Sequence, residues 1–459
     1  MARPAPTTGA GAVDTTAIPH PRWRLPVVGD VVGTSRRTPV QDSMRLGRGL
    51  GPIFTRKFLD LEIVFVAGGA LTAELADETR FAKHLAPGVE VLRGIGGDGL
   101  FTAYNHEPNW RAAHDVLVPG FTRGAMRGYH RTMVEVTARL VAKWDRGGEV
   151  DVSADMTTLT LETIGRVGFG YSFESFERST AHPFVSAMLG SLRYAQRRNF
   201  TFPLVRALFG GRAEERYRRD LAHLAEVVDE VVRARRGEGG GGSDLLGLML
   251  DSGALDEVNI RNQVITFLIA GHETTSGALS FALHYLSRHP EVAERARAEV
   301  DAVWGAAEVP EFEQVARLRY VRRVLDEALR LWPTAPAYAR EARHDTVLGG
   351  RYPVEAGQWV LVLLPLVHRD PEVWPSPESF DPDRFAPDRV RARPAHVYKP
   401  FGTGERACIG RQFAIHEATL ALGTLLRRYD LVASPDYRLR VAEALTLKPE
   451  GFTLTPRRR

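Results

Sequence analysis

Residues 401–410 read Phe401-Gly402-Thr403-Gly404-Glu405-Arg406-Ala407-Cys408-Ile409-Gly410, and Cys408 is the only cysteine of the 459-residue chain. A lone cysteine is ordinarily a small buried hydrophobe. The neighbours of this one argue for a different use. Glycines lack a Cβ, so the backbone can turn sharply and approach a ligand closely. An apolar-periodic segment, roughly Ile409 to Arg428, follows at once and predicts a helix. The N-terminal N–H groups of that helix would favour the anionic form of the sulfur. A thiolate held against a large flat ligand is the arrangement that such a loop can build.

The spacing Phe-x-x-Gly-x-Arg-x-Cys-x-Gly resembles the haem-binding loop of the cytochrome P450 superfamily. That resemblance implies a fold that is mainly α with minor β-sheets. A haem b would lie between a long central helix and the helix after the cysteine. Cys408 would be the axial iron ligand, with Phe401 packed beside the sulfur and Gly402 in the loop against the cofactor. A cysteine thiolate pushes electron density toward bound oxygen and favours O–O cleavage.

Composition agrees with a globular enzyme: 44% hydrophobic and 25% charged residues. Length alone would suggest about three domains at ~150 residues each. The matched motifs run from residue 101 to residue 410 and must converge on one ligand, so one domain over residues 21–459 is expected after a disordered leader at 1–20. A single cysteine forms no internal disulfide, which suits the cytoplasm. From the Ala-, Pro-, Thr- and Gly-rich start, neither a signal peptide nor a membrane anchor is expected. A net charge of +4 does not point to nucleic acid. Basic residues gather near the cysteine loop: Arg389, Arg391, Arg393, Lys399, Arg406 and Arg411. They are either a docking face for an acidic redox partner or a solvated surface.

Along the chain, Ile53–Val66 reads as two short strands, and residues 70–345 read as mainly helical. Leu221, Leu224, Val228, Val231 and Val232 fall on one helical face, and Gly237–Ser243 is a flexible connection. Strand signals return at 346–366 and at 446–455.

Gln263–Ser287 is the longest helical stretch. Its apolar run is broken by Ala270-Gly271-His272-Glu273-Thr274. Small Ala270 and Gly271 would let a planar group lie against the helix. Thr274 shares a face with Ala270, and its hydroxyl can bond the i−4 carbonyl, opening a groove. By resemblance, Thr274 would steady bound oxygen and Glu273 would relay protons. His272-Glu273 lacks the second histidine of a zinc protease, since Ser276 stands there.

Glu327 and Arg330 form an i,i+3 pair with apolar flanks, which suggests burial and a need for further partners. The family's third member is Arg384, and the trio is expected to be structural. Trp110 and His114 stand one turn apart, and with Arg406 they would bind haem propionates; core packing is the alternative for the Trp/His pair. Phe101, Ala335 and Ala337 would shape a substrate pocket.

Longer runs, Thr266–Gly277, Ala328–Ala337 and Leu445–Phe452, resemble the haem domain of bacterial self-sufficient fatty-acid hydroxylases. Two departures matter. The chain ends at Arg459, so the expected electron source is a separate ferredoxin or flavodoxin with its reductase, fed by NAD(P)H. The arginine and tyrosine that anchor a fatty carboxylate in those enzymes fall at Leu61 and Phe65, which would widen an apolar entrance. A replacement anchor could come from Arg193, Arg197 and Arg198 beside Tyr194 and Phe200, or that cluster is simply solvated. The expected activity is monooxygenation, using O2, of an apolar secondary metabolite. Fatty-acid hydroxylation and a peroxide-driven haem enzyme on the same fold are the alternatives, and a non-catalytic haem sensor or carrier is a third.

Overall fold

Ile53–Phe58 and Leu61–Val66 form an antiparallel hairpin, with Ile53 opposite Val66 and Phe58 opposite Leu61. In the computed structural model, residues 18–35, 37–178, 182–199, 211–237, 239 and 241–459 are described, without the side chains of 195–199. Their contacts gather into two compact units.

The first unit comprises residues up to Ala86, Ala335–Ser379 and Asp388–Cys408. Its centre is a five-stranded sheet. The hairpin strand Leu61–Val66 pairs in parallel with Trp359–Leu363, Phe65 opposite Leu361. Trp359–Leu363 pairs antiparallel with Ala337–Ala342, which pairs antiparallel with Phe81–His84. Two of these strands lie where the sequence reads as helical. Ala337-Tyr-Ala-Arg-Glu-Ala342 has a helix-forming composition. Lying between two strands, it gains a ladder on both edges, and that tertiary pairing overrides local propensity. Val64, Val66, Phe81, Val360 and Val362 close the core of this unit. Fully burying each such side chain contributes about 1.5–3 kcal/mol before entropy is counted.

Ile18 belongs to the same core at 2% exposure, and the Pro19 carbonyl accepts from the Thr55 N–H at 2.8 Å. The expected leader boundary at residue 20 is therefore too late: Ile18–His20 are already part of the sheet unit. Residues 1–17 of that leader lie outside the described residues.

The second unit holds residues 87–334, Phe380–Pro387 and Ile409–Arg459. It is mainly helical. Its axis is the long helix Glu257–Arg288, which starts at Asp256, whose carboxylate accepts from the Asn259 N–H at 2.7 Å. Val264, Leu268, Leu279, Phe281, Ala282 and Leu283 of this helix are fully buried. Two glycines allow close packing. A Cβ on Gly271 would sit 3.0 Å from Ile164 of the helix Val152–Phe169, and one on Gly277 would sit 2.7 Å from the Leu447 carbonyl. Leu447 belongs to a small hairpin, Val441–Glu443 with Leu447–Pro449. Strand Tyr429–Ala433 pairs with Thr453–Arg458, which also pairs with Val150–Asp151. On the helix Gly211–Gly237, Leu224, Val227, Val228 and Val231 are buried, while Leu221 and Val232 are half-buried.

Candidate active site

The cysteine loop lies in the sheet unit. The Cys408 N–H donates to the Phe401 carbonyl at 2.9 Å and closes the loop. Gly402 and Gly404 take φ of +74° and +69°, a region that L side chains avoid. A Cβ on Gly404 would fall 2.0 Å from the Glu78 carboxylate, which accepts from the Glu405 N–H at 3.0 Å. Glu78 therefore anchors the loop from below. On the approach to the loop, the Lys399 N–H donates to His368 Nε2 at 3.1 Å. The Cys408 side chain itself is exposed, against the burial habit of cysteine. Lys83, on the strand Phe81–His84, has its ammonium held well below the usual lysine range by burial and by the positive charge of Arg406. Arg406 and the basic side chain of Lys83 thus share one neighbourhood in this unit, and an anionic group placed there would favour the charged lysine.

In the helical unit, the buried wall of the long helix gives way at one place. Val264 to Ile269 are buried, Ala270 is exposed, and Gly271 and Thr274 are half-buried. The Thr274 hydroxyl donates to the Ala270 carbonyl at 2.8 Å. Glu273 points elsewhere and is 3% exposed. Its carboxylate accepts from Lys448 Nζ at 3.0 Å and from Thr446 Oγ1 at 3.1 Å, and His272 Nε2 stands 3.3 Å away. Burial opposes ionisation here, but His272 and Lys448 outweigh it and hold the carboxyl well below the usual carboxylate range.

Trp110 is buried and stacked on His114, ring centroids 5.0 Å apart, so the helix Pro108–Leu117 presents the pair as one unit. Phe101 is 43% exposed. In the sheet unit, Arg406 is half-buried, Ala335 is exposed and Ala337 half-buried. Leu61 is exposed at the hairpin end, while Phe65 is buried and stacked on Phe54 at 5.1 Å. Tyr194 donates to Glu214 and stacks on Tyr217 at 4.6 Å, so it is engaged by the neighbouring helix. Arg193 is exposed. The side chains of Arg197 and Arg198, and Phe200 altogether, lie outside the described residues.

Glu327 and Arg330 are both fully buried and bonded at 2.7 and 2.8 Å. Arg384 Nε stands 3.3 Å from the same carboxylate, and the Asp381 N–H donates to it at 2.8 Å. The trio ties the helix Arg319–Leu331 to the segment carrying Arg384.

Sequence reasoning missed Lys448, Thr446, Lys83 and Glu78. Each acts on a residue far away in the chain, and the run Leu445–Phe452, which holds Thr446 and Lys448, does not show what they touch. It also missed Glu417, on the helix Arg411–Arg428, whose two buried carboxyl oxygens meet no well-formed hydrogen bond among the described residues. The nearby Thr163 hydroxyl donates to the Leu159 carbonyl at 2.9 Å. Burial pushes the Glu417 carboxyl from 4.5 up to about 8. Between those values the folded chain keeps a proton that the unfolded chain releases. Stability therefore falls as pH rises through the window, by up to about 1.4 kcal/mol per pH unit. Glu417→Gln is expected to remove this slope and to exceed the wild type in stability at the alkaline end. Urea unfolding across the window checks it, and parallel profiles for the two proteins would refute it.

The profile of the cytochrome P450 family matches residues 19–456, through both units, and the chain belongs to that family. It is 44% identical over 451 residues to a bifunctional cytochrome P450/NADPH–P450 reductase of Bacillus subtilis, covering 96% of this chain and 42% of that protein. A bifunctional cytochrome P450/NADPH–P450 reductase of Bacillus cereus is 43% identical with the same coverage. A self-sufficient cytochrome P450 monooxygenase of Penicillium camemberti is 39% identical, over 96% of this chain and 43% of its own length. The chain thus spans about two fifths of the curated relatives it matches.

Haem with a cysteine thiolate ligand is the cofactor of this family, and the residues present fit it. The accessible Cys408 sits on a glycine-bearing loop, the basic side chains of Lys83 and Arg406 stand in the same unit, and the long helix is bared at Ala270. Among the described residues, no cluster of three or more His, Cys, Asp or Glu is poised for a bare metal ion. A single thiolate suffices when a macrocycle supplies the other ligands. No helix among the described residues is long and apolar enough to cross a membrane.

Proposed function

We propose that this chain is the haem-bearing part of a monooxygenase, placing one atom of O2 into a C–H or C=C bond of an apolar, uncharged substrate. The bound haem would supply oxygen activation. Cys408 would hold the iron and donate charge to it. Arg406, Trp110 and His114, joined by Lys83, would hold the propionates. Thr274, tethered to the Ala270 carbonyl, would present its hydroxyl at the bared helix face. Phe101, Ala270, Ala335 and Ala337 would shape the pocket, and Glu327, Arg330 and Arg384 would brace the fold. Electrons from NAD(P)H would arrive through a ferredoxin or flavodoxin with its reductase. The exposed Arg389 and Arg391, with Lys399, would form the docking face in the sheet unit. The family match across both units supports a single haem domain.

The hairpin carries the substrate reading. Leu61 and Phe65 offer no charge and no hydroxyl. Two nearby cations are engaged: Arg24 binds Asp30 and Glu62 at 2.9 and 2.7 Å, and the buried Arg56 donates to Ser43 at 2.7 Å. Lys57 is a further cation on this hairpin, but positions 61 and 65 hold no group that pairs with a carboxylate, which favours a neutral secondary metabolite over a free fatty acid. Fatty-acid hydroxylation remains the second reading, supported by the similarity to the fused enzymes. A matched panel of long-chain acids, their methyl esters and polycyclic apolar compounds separates the two, read as the haem spin-state shift and as turnover with a surrogate reductase. Esters and polycyclics are expected to bind at least as tightly as the acids. Tighter binding and faster turnover of the free acids would reverse the order.

A further inference from the structure

The side of the long helix that carries Ala270 and Thr274 continues toward its N-terminus through Thr266 and Asn262, since residues four apart stack along one side. Gly97 and Gly99 lie directly on that continuation. A Cβ on Gly97 would fall 2.3 Å from Asn262 Nδ2, and one on Gly99 would fall 2.1 Å from Thr266 Oγ1. Phe101 follows two residues later and is exposed, so this loop carries an aromatic side chain along the same side of the helix. A chain of hydrogen bonds holds the loop there. Asp98 Oδ1 accepts from Asn259 Nδ2 at 3.1 Å and from Asn262 Nδ2 at 2.8 Å, and Asp98 Oδ2 accepts from Asn109 Nδ2 at 2.5 Å. Asn259 Oδ1 in turn accepts from Gln263 Nε2 at 3.1 Å, and Gln263 Oε1 accepts from the Leu100 N–H at 2.9 Å. An ionised carboxylate only accepts, so Asp98 sets the direction of each amide that follows it. Burial opposes its ionisation, but the bonds from Asn109, Asn262 and Asn259 outweigh it and hold the carboxyl below the usual range. Beyond Phe101, the Thr102 carbonyl accepts from Arg93 Nη1 at 2.7 Å, and the Thr102 hydroxyl donates to the Gly97 carbonyl at 2.9 Å. The residues on both sides of Phe101 are therefore anchored. Asn259 and Gln263 are buried, and a buried polar network whose members satisfy one another specifies a single arrangement.

We propose that Asp98 is a positioning residue for substrate selection: acting through Asn259 and Gln263, it fixes the backbone of 100–102 so that Phe101 stands as a preformed wall that sorts apolar substrates by shape. The proposal rests on the substrate reading above, in which Phe101 shapes the pocket. Asp98 itself touches no substrate. Its effect passes along the amide chain to the Leu100 peptide and from there to the neighbouring ring.

Fluorine NMR of the holoprotein labelled with para-fluorophenylalanine tests this without turnover, in the diamagnetic carbon monoxide-bound state, with Phe101→Leu assigning the resonance. One narrow Phe101 resonance is expected in the wild type. Asp98→Ala is expected to broaden or split it, and Asp98→Asn, which keeps an oxygen toward the long helix, is expected to restore most of it. Asp155→Ala is the control for general loosening, since that carboxylate accepts from Trp144 Nε1 at 2.7 Å and lies on another helix of the same unit. It is expected to leave the Phe101 resonance in place. A resonance unmoved by Asp98→Ala, or moved as much by Asp155→Ala, would overturn the proposal. Turnover with a surrogate reductase then reads selection, as the kcat/KM ratio between a polycyclic compound and a long-chain methyl ester. Asp98→Ala is expected to change that ratio about tenfold, within the scale of a misplaced positioning group. It is expected to change it no further when Phe101→Ala is already present, because the two act as one unit. A ratio that stays at the wild-type value, or that shifts equally in the Phe101→Ala background, would remove Asp98 from selection. A wild type that turns over neither compound would remove the substrate reading, while the fluorine spectra still decide whether Asp98 fixes the loop.

Discussion

Cys408→Ser is expected to abolish the thiolate-type absorption of the haem protein and to lower oxygenation roughly a thousandfold or more, the scale of losing a group that performs the chemistry. Serine is nearly isosteric with cysteine, and the Cys408 side chain is exposed. The loop is closed by the Cys408 backbone N–H and held by Glu78 on Glu405, neither of which involves the sulfur. The haem-free fold should therefore stay within about 0.5 kcal/mol of wild type, any further loss in the holoprotein reflecting weaker haem binding. A hydroxyl stays protonated where a thiol ionises, and oxygen donates charge to iron less readily than sulfur does. Optical spectra of the reduced, carbon monoxide-bound protein and single-turnover assays check this. A serine variant that keeps the thiolate-type spectrum and the activity would remove Cys408 from the site.

Arg330→Met is expected to cost about 3–5 kcal/mol of stability, because it strands a charge that solvent cannot reach. Glu327 is fully buried, and its bonds to Arg330 at 2.7 and 2.8 Å are the short ones of the trio. Arg384 at 3.3 Å and the Asp381 N–H are too few to replace the lost guanidinium. Neutralising the stranded acid in the double variant Glu327→Gln/Arg330→Met should recover about 1–2 kcal/mol, part of the penalty of an uncompensated buried charge. Urea midpoints for the two variants decide it. A single variant as stable as the double would show that this carboxylate is compensated by other groups.

Much of this was legible in the sequence because the signals were local. The β-branched run at 53–66 became the hairpin, and the alternation of small and apolar residues around Ala270 became the bared face of a long helix. That helix starts at Glu257, earlier than its apolar periodicity suggests, because Asp256 caps a polar first turn. The helix after the cysteine starts at Arg411, since Ile409 and Gly410 complete the loop before it. The strands Phe81–His84 and Ala337–Ala342 were not legible, because only a partner from another part of the chain makes them strands. The same limit hid Lys448 from Glu273 and Lys83 from Arg406. Ionic partners from distant segments leave no periodic trace. Buried Glu417 was missed for a different reason, since its residue type at that spacing resembles an ordinary solvated acid.

The parallel ladder between Phe65 and Leu361 has a bearing on biogenesis. On the ribosome the first hairpin emerges long before the segment that must lie beside it. The intervening chain has to be synthesised and kept from aggregating while one edge of that hairpin waits. Pairings of such large sequence separation carry a heavy loop-closure cost and fold slowly. The platform carrying the sulfur loop is thus completed late in vectorial synthesis, and fragments truncated before residue 359 leave a hydrophobic strand edge open to chaperones and to one another.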